Sequence, residues 1–391
     1  MSRSYQGVAV CVPQTVRYQR YSSHGAQYFF GTALRQLLSA SGLQKSDVDG
    51  MSISSFTLAP DTGISVAEHL GIELRWLDQL ILGGASGVVS LKRAARVVQN
   101  GDAEVVACIG ADTCNPDSYA NLMANFSDFS TFGVHAYGAG GPSAVFALAT
   151  KQYMETHGVT REDFGRLCIS QRQNARHNPN ALLGDKELTM EAYLGARTVA
   201  EPLGLFDCVM PCAGAEAFLV MSEERARSLQ LPYARIKAAE EGYNAHKDLD
   251  LPINGGWCNF REALYAEADA GPEDIQFLQS YDDYPVMVFR QLEDLGFCEY
   301  GGVVEYLEKT DLNVEGAGLA HNTSGGQLSS GQAGFAGGFL GVTEGLRQLT
   351  GQVLGCQIAD ARIGMVSGFG MVNYDRGLCS AAVILEAGES S

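Results

Sequence analysis

Short apolar runs alternate with amphipathic stretches along the first half of the chain. Apolar runs at residues 7–12 and 50–55 are typical of buried strands, and residues 104–110 are apolar on both faces, as in a central parallel strand. Residues 27–41 and 88–100 carry apolar side chains at helical spacing. Because strands and helices alternate, the pattern predicts an α/β layer architecture.

The second half of the chain repeats this order. Strands are predicted at 233–241, 275–281 and 379–386, and helices at 260–270, 286–296 and 336–349. The similar order indicates a duplication at the level of the fold, with one half over residues 1–228 and the other over residues 229–391. A largely polar stretch at about residues 115–205 interrupts the first half and is predicted to be an inserted loop domain.

The composition and net charge of the chain argue against some classes of binding partner. Hydrophobic residues make up 46% and charged residues 18% of 391 residues, which indicates a folded chain with a large core. The formal net charge is −18. A surface this acidic repels phosphate backbones and anionic headgroups, so we expect neither nucleic acid nor a membrane as a partner.

Cysteine and histidine usage argues against disulfides and against a metal site in this chain. None of the ten cysteines forms a CxxC pair, and the seven histidines are widely separated. The first residues lack the apolar core of a signal peptide, and the uncharged run at 129–150 is interrupted by glycines and Pro142. We therefore expect a cytoplasmic protein with reduced thiols.

Three glycine-rich segments are candidates for binding. LGGASG at 82–87 directly precedes a predicted helix, so it either aims backbone N–H groups at an oxyanion or forms a packing turn. The segment at 321–338 is a long polar loop of the kind that binds ligands, and GFGMVNYDRG at 368–377 leads into the last strand. The chain contains no phosphate-binding P-loop, no GxSxG elbow and no HExxH motif.

Six blocks along the chain resemble the thiolase superfamily, in particular the sterol-carrier-protein-type thiolases. In family order they are GGASGVVSLKRAARVVQNGDAEVVACIGAD, ISQRQNARHNPNA, PLGLFDC, YDDYPVMVFRQLEDLGFCEYGG, NTSGGQLSSGQAG and GLCSAAVILE. The resemblance implies a thiolase fold in which two βαβαβαββ halves form a five-layered αβαβα core. It also implies an inserted loop domain and a homodimer.

The side chains that carry the family's chemistry are replaced in this sequence. Gly84 stands where the family has its nucleophilic Cys before ASG, a position at which the helix dipole would stabilise a thiolate. In the HDCF block the His is replaced by Tyr281 and the Cys by Asp283, and in the GHP block the His is replaced by Gln332. Without a thiol at residue 84 we expect no acyl-enzyme, and hence neither thiolysis nor Claisen condensation.

The C-terminal catalytic block of the family has a looser match. Ser367, in SGFGM, aligns with the family's Cys or His, and Tyr374 in NYDRG is the nearest group that could carry a proton. Both residues are also compatible with an ordinary turn before the last strand.

The pattern resembles the thiolase-like aldolases of bacterial steroid side-chain degradation, which also lack the nucleophilic Cys. This resemblance implies a retro-aldol cleavage of a bulky β-hydroxyacyl-CoA to a ketone or aldehyde and a shortened acyl-CoA. Tyr281 and Asp283, two residues apart, would face one side and form an acid/base pair, with Asp282 and Tyr284 on the other side. Asp283 could instead be a helix N-cap.

The remaining site residues follow from the same reading. Tyr374 would be a second proton carrier and Gln332 a neutral hydrogen-bond donor, while backbone N–H groups at Gly84 and Gly370 would stabilise the enolate oxygen. The candidate substrate-binding residues are Ser324, Gly325, Gly326 and Tyr284.

We expect no cofactor in this chain. The resemblance implies an acyl-CoA substrate and a small partner built from a zinc ribbon and an OB-fold. Two alternatives stay open. Loss of the family's catalytic side chains is also what a non-catalytic scaffold subunit would show. A thiolase could also use a cysteine from elsewhere, such as Cys258 or Cys298.

Overall fold

The computed structural model describes most of the chain. The described residues are 4–117, 121–122, 126–138, 141–249, 252, 254–316, 318–373 and 376–388. Tyr374 therefore lies outside the described residues.

The first half contains the elements that the hydrophobic pattern predicts. Its strands are β1 Val8–Gln19, β2 Gly50–Ser54, β3 Trp76–Gln79, β4 Val105–Asp112 and β7 Ala213–Ser222. Its helices are α1 Ala26–Ser41, α2 Gly63–Leu70 and α3 Ser86–Asn100, followed after β7 by α8 Glu223–Ser228.

The inserted segment is mainly helical. Its elements are α4 Asp128–Gly133, α5 Gly141–His157, α6 Arg161–Ala175, α7 Met190–Leu194 and a small hairpin of β5 Thr198–Ala200 and β6 Leu203–Gly204. The uncharged run at 129–150 is thus divided between α4 and α5. Within the described part of the chain, no helix combines the length and apolarity needed to cross a membrane.

The second half follows the same plan. Its strands are β8 Tyr233–Tyr243, β9 Phe277–Gln279, β10 Ala320–His321, β11 Ile363–Asn373 and β12 Arg376–Ala387. Its helices are α9 Arg261–Ala268, α10 Pro285–Asp294, α11 Val303–Lys309, α12 Gly326–Ser330 and α13 Gly337–Thr350.

The sheet topology confirms the duplication. The described strands of the large sheet run in the order β10-β9-β11-β12-β8-β1-β7-β4-β2-β3. Numbered within its own half, each set of five strands has the order 3-2-4-5-1, and the fifth strand is antiparallel to its neighbours. The two sets meet at an antiparallel pairing of β1 with β8.

Helices on both faces and in the middle complete the five-layered αβαβα core that the resemblance implies. Helix α1 packs on the outer face of the first set of five strands, α3 and α13 pack together between the two sets, and α9 packs on the outer face of the second set. Strand β4 shows why its sequence is apolar on both faces, because Val105 and Ile109 join the α1 cluster whereas Val106 and Cys108 join the central cluster.

The alternative interpretation of Ser367 as part of an ordinary turn is wrong. Ser367, Gly368 and Gly370 belong to the long strand β11. Its glycines are required by close backbone packing, since a Cβ built on Gly370 would lie 1.6 Å from the carbonyl oxygen of Leu82. The strand therefore passes directly over the turn that precedes α3.

Candidate active site

A cavity of about 720 Å³ lies between the inserted segment and the two halves. Its wall is largely apolar, and five phenylalanines line it: Phe56, Phe126, Phe146, Phe206 and Phe369. Phe146 stacks on Tyr284 with ring centroids 4.2 Å apart. A pocket of this size and lining can hold most of a large apolar ligand.

The structure brings some of the residues predicted from the sequence together and leaves others outside the cavity. Six of them line it: Gly84, Tyr281, Asp283, Tyr284, Gln332 and Gly370. Four do not: Ser324, Gly325, Gly326 and Ser367. Tyr284 was expected to face away from Asp283, and here the prediction is wrong because both residues line the same cavity.

The ring of Tyr281 occupies the space in front of Gly84. Gly84 lies in the short turn Gly83–Ala85 that leads into α3. A Cβ built on Gly84 would lie 2.0 Å from Cε2 and 2.2 Å from Cζ of Tyr281, which is far inside van der Waals contact. The tyrosine at 281 and the glycine at 84 therefore depend on each other, and no side chain can stand at residue 84 while the ring is there.

The hydroxyl of Tyr281 contacts Gln332, the residue that replaces the histidine of the family's GHP block. Gln332 Nε2 donates a hydrogen bond of 3.0 Å to the Tyr281 hydroxyl oxygen. Burial, and then the nearby carboxyl groups of Asp283 and Asp282, raises the pKa of Tyr281 well above its usual value. The phenol is therefore protonated at neutral pH, and its O–H can donate to a ligand in the cavity.

Gln291 holds the backbone of Tyr281 in place, a role that no motif in the sequence indicates. Its Nε2 donates to the Tyr281 carbonyl oxygen at 2.7 Å, and its Oε1 accepts from the Tyr281 N–H at 3.2 Å. Ser367 Oγ donates to the same Oε1 at 2.6 Å. Ser367 thus orients Gln291 and acts on Tyr281 through it, although Ser367 itself does not line the cavity.

Asp282 and Asp283 have opposite surroundings, as their alternation along an extended segment predicts. Asp282 is buried and accepts hydrogen bonds from Gln171 Nε2 at 2.7 Å and from the backbone N–H groups of Gln327 at 2.9 Å and Leu328 at 3.2 Å. It therefore fixes the start of α12. This leaves Asp283 as the carboxyl group of the pair that lines the cavity.

Asp283 carries a buried oxygen without a partner. Among the described residues no group hydrogen-bonds its Oδ1. Burial, and then Asp282, raises the pKa of Asp283 well above its usual value, so its ionised form is a stronger base than a carboxylate in water. The N-cap of α10 is Tyr284 and not Asp283, so the capping interpretation is wrong.

The loop at 324–326 packs under the site without entering it. A Cβ on Gly325, where φ is +95°, would lie 2.4 Å from the Cβ of Ala175. A Cβ on Gly326 would lie 2.1 Å from an oxygen of Asp282. The carbonyl oxygen of Ser324 accepts from Asn178 Nδ2 at 3.0 Å. These residues support the loop that ends at Gln332.

Asp112, at the end of β4, holds two segments of the cavity wall. Its Oδ1 accepts from Ser55 Oγ and from Thr57 N and Oγ1, and its Oδ2 accepts from the backbone N–H groups of Phe56 and Phe335. Phe56 then stacks on Phe335 with centroids 3.7 Å apart. Asp112 could not be identified from the sequence, because an Asp at a strand end is not informative without its hydrogen-bond partners.

Charged side chains line the cavity as well. Arg20, Lys186 and Arg197 are exposed and basic, whereas Glu187 is acidic. Arg172 is buried and donates to Ser329 Oγ at 3.0 Å. The cavity thus combines an apolar wall with cationic groups, although the chain as a whole is strongly acidic.

Three cysteines line the cavity, and none is either of the two proposed as an alternative nucleophile. They are Cys114, Cys208 and Cys212, whereas Cys258 and Cys298 lie outside the lining. Burial raises the pKa of each of the three, to about 12 for Cys208. Their thiols are therefore protonated, and a thiol is a poor nucleophile compared with a thiolate.

The comparisons with known proteins agree with this fold. A family model described as thiolase C-terminal domain-like matches residues 246–385. The chain is 32% identical to a steroid side-chain-cleaving aldolase of Thermomonospora curvata over 337 residues, which cover 82% of this chain and 84% of that protein. It is also 32% identical to the 17-hydroxy-3-oxo-4-pregnene-20-carboxyl-CoA lyase of Mycobacterium tuberculosis, over 82% and 85% of the two chains.

A solved structure shows the same similarity in three dimensions. The structure titled Ltp2-ChsH2(DUF35) aldolase superposes with a TM-score of 0.81 at 30% identity, covering 97% of this chain and 98% of that chain.

Proposed function

Because the chain belongs to the thiolase superfamily, where it is similar to the aldolases, we propose that it is a carbon–carbon lyase acting on an acyl-CoA thioester. The proposed reaction is a retro-aldol cleavage of a β-hydroxyacyl-CoA into a ketone or aldehyde and a shortened acyl-CoA. No covalent acyl-enzyme takes part in it.

The observation that carries this proposal is the position of the Tyr281 ring. It lies where a nucleophilic side chain at residue 84 would stand, 2.0 Å from the Cβ that such a residue would need. The cavity cysteines are protonated, which argues against a nucleophile from another position. The reaction at this site therefore proceeds by proton transfer between the substrate and the groups around Tyr281.

The reaction balances with the residues at hand. The Asp283 carboxylate takes the proton of the substrate β-hydroxyl, and the oxygen's electron pair forms the new carbonyl. The Cα–Cβ bond breaks, and its electron pair passes into the thioester as an enolate. Backbone N–H groups at Gly84 and Gly370 stabilise the enolate oxygen, and Tyr281 delivers a proton to Cα. Asp283 then loses its proton to solvent and the Tyr281 phenolate takes one from solvent, which restores both groups for the next turnover.

The lining of the cavity supports a bulky apolar acyl group on CoA. Five phenylalanines provide flat apolar surface, which suits a steroid or aryl ring system. The exposed Arg20, Lys186 and Arg197 would attract the phosphates of CoA to the cavity. The names of the two curated relatives, one for steroid side-chain cleavage and one for a carboxyl-CoA lyase, agree with this substrate class.

We also propose that the protein acts as a homodimer with a small second subunit. Among the described strands, β3 lies at an edge of the large sheet, where a second copy could pair with it, and the nearby Ile81 is 58% exposed. The name of the superposed aldolase structure joins two components, which supports a second subunit, and the family resemblance implies that this subunit is of the zinc-ribbon and OB-fold type.

A substrate panel tests the function. Purified protein, alone and co-purified with its small partner, is incubated with a steroid-type β-hydroxyacyl-CoA, the matching acyl-CoA without the hydroxyl, and acetoacetyl-CoA with free CoA. We expect a ketone and a shortened acyl-CoA from the first substrate only. Thiolysis of acetoacetyl-CoA, or no cleavage in either preparation, would contradict the proposal.

A further inference from the structure

Three side chains with metal-binding atoms meet on the surface away from the cavity. They are His177, just after α6, Glu315, in the loop before β10, and Cys356, in the loop after α13. Their ligand atoms all lie within 4.8 Å of one another. None of the three lines the cavity, so the cluster is separate from the proposed active site.

Hydrogen bonds hold the backbone at each of the three positions. Beside His177, Asn178 N donates to the Ala175 carbonyl oxygen at 3.0 Å. Beside Glu315, Val314 N donates to Asn174 Oδ1 at 3.0 Å.

The backbone at Cys356, the third position, is held by Gln348. Gln348 Nε2 donates to the carbonyl oxygen of Cys356 at 2.8 Å, and Gln348 Oε1 accepts from Ile358 N at 2.9 Å. Gln348 itself is buried in α13. The three candidate ligands therefore project from fixed backbone, and bringing them together on a metal requires little further ordering.

The set of donor atoms decides which ion fits. One imidazole nitrogen, one carboxylate oxygen and one sulfur match the ligands of Zn²⁺, whereas Mg²⁺ and Ca²⁺ prefer oxygen alone. Three protein ligands leave a fourth tetrahedral position for water.

We propose that His177, Glu315 and Cys356 bind one Zn²⁺, which ties the end of α6 in the inserted segment to two loops of the second half. The thiol of Cys356 releases its proton to solvent when the metal binds. Asn178, next to His177, also binds the carbonyl oxygen of Ser324. The metal thus stiffens the support of the loop that carries Gln332 and has a structural role.

Cobalt substitution tests the site directly. Metal-free full-length protein is titrated with Co²⁺, and we expect one equivalent to bind with a thiolate-to-cobalt charge-transfer band and tetrahedral d–d bands, both displaced by Zn²⁺. Cys356→Ser is expected to lose the charge-transfer band, and His177→Gln to bind roughly a hundredfold more weakly or worse, since even groups that only orient metal ligands contribute ~10–100-fold. The control variants Cys298→Ser and His69→Gln are expected to bind like the wild type.

A second measurement needs no variant. In the wild type, Zn²⁺ is expected to protect Cys356 from an alkylating reagent, as read by peptide mass spectrometry, and to raise the melting temperature. A charge-transfer band that persists in Cys356→Ser, or the absence of both the band and the protection in the wild type, would overturn the proposal.

Discussion

Replacing Gly84 with alanine places a methyl group inside the ring of Tyr281. The built Cβ lies 2.0 Å from Cε2, whereas ordinary contact begins at 3.4 Å, so the ring has to retreat by 1.4 Å or the turn has to shift. On the other side of this turn β11 lies in close contact, with Gly370 against the Leu82 carbonyl oxygen. The tyrosine is therefore the group that moves.

The size of the effect follows from this displacement. Overpacking costs about 1–3 kcal/mol, and loss of the bond from Gln332 to the Tyr281 hydroxyl adds about 1 kcal/mol, so unfolding free energy should fall by about 2–4 kcal/mol. A catalytic group misplaced by more than about 1 Å can lose on the order of a hundredfold in rate. We expect kcat of Gly84→Ala to fall at least that far.

Denaturant unfolding and steady-state kinetics of Gly84→Ala measure both effects. Gly31→Ala, in helix α1, is the matched control, because its Cβ would make only an ordinary 3.5 Å contact with Leu70 of helix α2. It should keep full activity and gain up to about 1 kcal/mol from helix propensity. In the double variant Gly84→Ala/Tyr281→Ala the packing penalty should disappear. Additive stability losses in the double variant, or full activity in Gly84→Ala, would refute the reasoning.

The other predictions concern the groups around the same ring. Tyr281→Phe keeps the ring but should lower kcat by on the order of a hundredfold or more if the hydroxyl transfers a proton, and unchanged kcat would remove that role. Because Asp283 acts as a base in its ionised form and its pKa is raised, kcat/KM should fall as pH drops through that raised pKa, and Asp283→Asn should abolish this acid limb together with most of the rate. Burial raises the pKa of Asp282 to about 7, so at pH 8, where it is ionised, Asp282→Asn should cost about 2–3 kcal/mol of unfolding free energy, because its one amide group replaces an acceptor oxygen and faces the N–H of either Gln327 or Leu328. An unchanged denaturation midpoint at pH 8 would contradict this.

The order of strands and helices could be predicted from the sequence because each half repeats a clear periodic pattern. Strand β11 was missed because its glycines are typical of turns, and only the backbone packing against Leu82 explains them. Strand β7 was not predicted either, because the first half of the strand, residues 213–217, consists of alanine, glycine and glutamate, which have low strand propensity. Both β11 and β7 are therefore stabilised by packing against segments that are distant in the sequence, which local residue preferences do not reveal.

Site residues could be predicted at the positions where this sequence replaces a catalytic residue of the thiolase family. Tyr281, Asp283 and Gln332 do line one cavity, and their catalytic roles stay predictions. The role of Gln291 and the cluster of His177, Glu315 and Cys356 were not predictable, because the residues that meet there are distant in the sequence. The surprise is at Gly84, where the sequence shows a missing thiol but only the structure shows the tyrosine ring in its place.

The central claim is that bonds break in this cavity by proton transfer and that no acyl group is captured by the protein. Intact-protein mass spectrometry under denaturing conditions, on samples quenched during turnover of a β-hydroxyacyl-CoA, tests it most directly. We predict an unchanged protein mass while ketone and shortened acyl-CoA accumulate in equal amounts. A mass increase equal to an acyl group, removable with hydroxylamine, would contradict the account.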